Sequence, residues 1–145
     1  MKAPDPPKFP GHGASRFERR GQILLLFSEG PFNAEHIQSL VPQFQSLGAA
    51  LAQDGPWASV NVVTRSIIST PDAIDMLRKS ALWTRDAYHR VAAGYVAGPD
   101  VEGRAIMLPI LYRCYAEVIP VEVFHALDDG MAWAKAQVEA AMRGR

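Results

Sequence analysis

Cysteine is almost missing from this chain: Cys114 stands alone among 145 residues. An intrachain disulfide and any thiolate-based metal cluster are therefore excluded. Net charge is missing too, since fifteen Lys and Arg residues balance fifteen Asp and Glu. That balance argues against a nucleic-acid binder working by phosphate neutralisation. The tightest basic group, Arg16, Arg19 and Arg20, reads as a solvated turn. No apolar run approaches the roughly 20 residues needed to span a bilayer. The N-terminus lacks the apolar core of a signal peptide, so a cytoplasmic location is the expectation. His12, His36, His89 and His125 have no metal-site spacing, and no HExxH pattern or glycine-rich phosphate loop occurs. Neither a metal nor another cofactor is expected.

What is present suits one packed core: apolar residues make up 48% of the chain. The opening "MKAPDPPKFPGHG" is rich in proline and glycine and reads as a disordered arm over residues 1–13. A single domain over 14–142 and a short tail at 143–145 follow. "SRFERRGQILLLF" predicts a β-hairpin turning at Gly21, with "QILLLF" as a central strand. Ile37, Leu40, Val41, Phe44, Leu47 and Leu51 then recur at helical spacing behind Asn33 as N-cap. Pro42 predicts a kink or restart in that helix. "WASVNVV", "RVAAGYVAG" and "VEVFHA" read as further strands, separated by helical stretches. In the third helix Met107, Ile110, Leu111, Cys114 and Val118 form a stripe, and Pro109 is expected near the first turn. Cys114 on that stripe reads as a small buried hydrophobe. The last helix is acidic at its start and basic at its end, with Asp128 as the expected cap. Strands alternating with helices imply an α/β domain: an N-terminal β-hairpin, then βα units, in a mixed but mostly parallel sheet covered by helices.

In this order, three blocks resemble the STAS family and especially its SpoIIAA-like branch. They are "EGPFNAEHIQSL" after the hairpin, "VNVVTRSIISTPDAIDML" in the middle, and "VEVFHALDDGMAWAKAQV" at the end, with Phe124, Ala132 and Trp133. The resemblance spans about residues 14 to 142. It implies a non-enzymatic module of a bacterial cytoplasm that works through a protein partner, and it leaves room for a homodimer. The branch's suggested kinship with lipid-binding domains implies the alternative of a small apolar or anionic ligand. Anti-anti-sigma members carry an aspartate before a phosphorylated serine and a glycine after it; here "ISTPDAI" has neither, and proline follows.

The candidate regulatory or partner-binding turn comprises Arg65, Ser66, Ser69, Thr70 and Asp72, with the helix over 73–88 beside it. Thr70 as N-cap, Pro71 at the first helical position and Asp72 make a complete helix start. The same free N–H groups suit a phosphate, which Asp72 and Asp75 would repel and Arg65 would attract. A second candidate is an interhelical cleft lined by Met107, Tyr112 and Tyr115. A third, enzymatic, reading pairs His125 with Asp128 at the carboxyl edge of the sheet.

Overall fold

The computed structural model describes residues 11 and 13–144. The arm expected over 1–13 therefore lies almost wholly outside the described residues. Strands β1 (Ala14–Arg20) and β2 (Ile23–Glu29) form the expected hairpin. Its turn runs through Gly21 at φ 58°, a conformation open to glycine without strain. Then come α1 (Ala34–Asp54), β3 (Trp57–Thr64), α2 (Pro71–Tyr88) and β4 (Arg90–Val96), followed by α3 (Arg104–Tyr115), β5 (Val121–Phe124) and α4 (Leu127–Arg143). The sheet order is β1-β2-β3-β4-β5, antiparallel in the hairpin and parallel from β2 onward. This is the mixed, mostly parallel α/β architecture that the alternation predicts.

The two faces of the sheet are covered differently. On one, Leu25, Val60, Ala92 and Val96 meet Ala134 and Val138 of α4. Small residues bring that helix close: a Cβ at Gly94 would touch the Trp133 ring, and one at Gly130 would lie 2.8 Å from Val96. On the other face lie α1, α2 and α3, over Val63, Ala93 and Tyr95 near α3 and over Leu24 and Trp57 near α1. Each large apolar side chain buried here contributes about 1.5–3 kcal/mol. The β3–β4 register slips between Trp57 and Ala58: Trp57 pairs with Arg90, but Ala58 pairs with Ala92. One extra residue on β4 turns Arg90 to the face occupied by Trp57.

Local start signals behave as expected at two helices. The Asn33 side chain accepts from the His36 N–H, and Thr70 accepts from the Ala73 N–H with Pro71 at the first helical position. Three expectations need correction. α1 does not restart at Pro42 but runs unbroken from Ala34 to Asp54, because Pro42 and Gln38, whose carbonyl loses its partner, both lie on the exposed side where water substitutes. Pro109 sits in the interior of α3 rather than its first turn, again on an exposed side shared with Ala105. Asp128 does not cap α4; the N-cap is Ala126, and Asp128 and Asp129 lie in the first turn, where they favour the helix dipole.

The end of β2 is held by a close backbone approach. A Cβ built at Gly30 would lie 2.0 Å from the Ser66 carbonyl oxygen, so position 30 has no room for a side chain. Gly30→Ala is expected to cost about 1–3 kcal/mol in urea denaturation, the usual range for overpacking. Gly98→Ala, where nothing lies within 4 Å, should stay within about 0.5 kcal/mol.

Candidate functional site

The half-buried apolar side of α1, Ile37, Leu40, Val41 and Phe44, hangs over a sheet surface in which the short polar residues Ser28, Ser59 and Asn61 interrupt the aliphatics Leu24, Leu26 and Val63. Large residues above and short ones below leave a cavity of about 110 Å³ between α1, α2 and the sheet. Met76, Leu77 and Ser80 of α2 form one wall, and Leu111 and Tyr115 of α3 close the far end.

Arg90 supplies the charge in this cavity. It is 6% exposed, with Nη2 donating to Ser59 Oγ at 2.7 Å and Nη1 to Thr84 Oγ1 at 3.4 Å. Its guanidinium carbon lies 5.3 Å from the centre of the Phe44 ring and 5.9 Å from that of Trp57. Nε has no hydrogen-bond partner, and among the described residues no carboxylate pairs with the guanidinium. Asn61 Oδ1, also lining the cavity, is buried without a partner. The phenols of Tyr95 and Tyr115 hydrogen-bond each other at 2.6 Å, and burial pushes both up from their ordinary pKa. They remain neutral and supply no counter-charge.

A second polar group lies under the start of α1. Ser15 Oγ is 2.8 Å from His36 Nε2 and donates to Ser28 Oγ at 3.1 Å. Burial lowers the His36 pKa, so its imidazole is neutral near pH 7. A serine beside a histidine has the contact of an activated nucleophile, yet no carboxylate orients this imidazole among the described residues. The pair instead ties β1 and β2 to α1.

The turn of residues 65–72 is divided between two sides. Ser66 is buried; its hydroxyl donates to Glu102 Oε1 at 3.0 Å and accepts from the Ile68 N–H at 3.2 Å. Ser69 donates to the Ile67 carbonyl at 3.1 Å, and both residues line the cavity. Arg65, Thr70 and Asp72 face outward. Arg65 has left-handed backbone, φ 67°, and lies 3.7 Å from Glu29.

Of the residues assigned to an interhelical cleft, Tyr115 reaches the cavity, while Met107 is packed in the core. Tyr112 is 38% exposed and donates to Glu122 at 2.9 Å; with Tyr115 it borders a shallow surface depression at Val118–Val121. His125, Asp128 and Asp129 are exposed, with no hydrogen bond joining them among the described residues. No group of three or more metal-ligating side chains occurs among the described residues. No described helix is long and apolar enough to cross a membrane. Cys114 is buried, and desolvation raises its pKa. Sequence reasoning passes over Arg90, Ser59, Asn61 and His36. Their signal is faint: polar residues at alternate positions of "WASVNVV", and an arginine opening an apolar strand.

No family model matches the chain, and no curated protein sequence matches it. Among solved structures, the chain is similar to the crystal structure of an anti-sigma factor antagonist from Mycobacterium paratuberculosis. Identity is 14%, the match covers 85% of this chain and 94% of that one, and the TM-score is 0.45. A likeness this distant carries no functional argument, and function must be read from the chain's own residues.

The burial of His36 has a pH consequence. Its folded pKa lies below the unfolded value near 6.5, so the unfolded chain binds more protons on acidification. This contribution to stability is complete above about pH 6.5 and is lost as pH falls below it. Urea midpoints measured from pH 7.5 to 5 should show that decline, and His36→Gln should flatten it.

Proposed function

We propose that this chain is a non-enzymatic, STAS-like regulatory module that senses a small apolar or amphipathic ligand beneath α1. Its protein-contact surface is the turn at Arg65, Ser66, Ser69, Thr70 and Asp72, together with α2. The observation that carries this reading is the shared wall. Ile67 and Ser69 of the turn, and Met76, Leu77 and Ser80 of α2, border the cavity from within, while Arg65, Thr70 and Asp72 stand on the solvent side of the same elements. An occupant that packs against this wall changes the stability of the surface behind it. Apolar lining with a few polar groups is the usual character of a small-molecule site. The cavity is of the order of the roughly 150 Å³ space that takes up benzene in an engineered protein.

Native mass spectrometry of freshly purified protein should show a co-purified small molecule. Leu40→Trp, which fills the space under α1, should release it. A clean apo mass, with no chemical-shift response to hexanol or hexanoate, would defeat the ligand reading. Coupling is read separately by amide exchange: protection over residues 65–73 should rise when hexanoate is added. Unchanged exchange there, with binding intact, would disconnect the cavity from the turn.

A further inference from the structure

The cavity is assembled around one fixed positive charge. An arginine remains protonated at any physiological pH. Burying a cation away from water is costly unless an anion and hydrogen bonds replace its hydration. Two hydroxyls and two aromatic faces replace part of it here. The Tyr115 hydroxyl also hydrogen-bonds the guanidinium, but Nε, buried with it, has no acceptor. Among the described residues no aspartate or glutamate lines the cavity. A histidine and two tyrosines do, and all three stay neutral near pH 7. Among the described residues the guanidinium thus lacks one negative charge, which an occupant of the cavity would supply.

We propose that the ligand is a small amphipathic monocarboxylate, with its carboxylate on Arg90 beside Ser59 and its apolar part against Leu40, Val41 and Phe44. This assignment rests on the ligand-sensing reading above and names its chemical class. The planar guanidinium matches a carboxylate in a two-point hydrogen-bonded pair. Phosphate is disfavoured by charge, because its second negative charge meets no second cation among the residues lining the cavity. The size of the space suits one ring or a short acyl chain rather than a long lipid.

The test is a chemical-shift titration of the full chain with hexanoate, hexanol and inorganic phosphate. Hexanoate should bind wild-type protein at least about tenfold more tightly than hexanol, the scale of one charge-assisted pair, and phosphate should leave the cavity resonances unmoved. Arg90→Met, which keeps the apolar bulk, should weaken hexanoate about tenfold or more and leave hexanol within about threefold. Arg90→Lys should recover part of the preference, since charge returns without the fork. Equal affinity for hexanoate and hexanol in wild-type protein overturns the assignment while leaving the cavity a ligand site. An undiminished preference for hexanoate in Arg90→Met overturns it in the same way. Should Arg90→Met fail to fold, the wild-type comparison of acid and alcohol decides. Binding of neither probe, with spectra of wild-type and Leu40→Trp protein equally unresponsive, ends the ligand-sensing reading itself.

Discussion

A buried guanidinium without a carboxylate is the constraint on which the helical face of this sheet depends. Arg90 reaches that face because several local features agree. α2 ends at His89 in left-handed conformation, with its N–H returned to the Thr84 carbonyl. The indole N–H of Trp57 donates to the Tyr88 carbonyl at 2.6 Å and locks the same corner. The chain leaves it directly into β4, where the register slip turns Arg90 inward. Thr84 of α2, Phe44 of α1, and Ser59 and Trp57 of β3 then surround the charge from three separate elements. Removing the charge would relax a whole corner, and supplying an anion would complete it.

The two faces of the sheet divide the work. Beneath α4, glycines at 94 and 130 and alanines at 92 and 134 permit close contact, and the apolar set there is complete. Under α1 the helix rests on α2, and the sheet below it interrupts its aliphatics Leu24, Leu26 and Val63 with two serines and an asparagine. Filling that side with valine and leucine would give a better-packed core, by the ordinary preference for native packing density. The polar substitutions forgo that stability and leave room, which is the pattern expected of a binding face backed by a structural one.

The order of strands and helices is legible in the sequence because period two and period three-point-six are properties of the local pattern. The prolines at 42 and 109 mislead because their tolerance depends on which side of the helix faces water, a tertiary fact. Arg90 is invisible for a different reason. Strict alternation along β4 would place it with Ala92 and Gly94 beneath α4, and only the bulge sends it to the other face. The hydroxyls of residues 66–70 draw attention because a sequence does not distinguish a free serine from a satisfied one. Ser66 is held by Glu102, and Thr70 is the cap of its helix.

That satisfaction bears on how the turn can act. Ser66 is bridged to Glu102 ahead of α3, and Ser69 to Phe32 ahead of α1. The Phe32 N–H donates to the Ile68 carbonyl, and the Thr70 N–H returns to the Phe32 carbonyl. A segment braced at both sides moves with its neighbours or not at all, since packed interfaces shift between discrete arrangements instead of deforming smoothly. Phe32 and Ile67 carry these braces and also border the cavity. Two backbone ladders thus join the cavity lining to the outer surface, and Gly30 closes the assembly by letting the end of β2 touch the Ser66 carbonyl. Under the proposed ligand reading, such a turn would convey occupancy as a change in order of the whole bracket, without any single hydroxyl having to be modified.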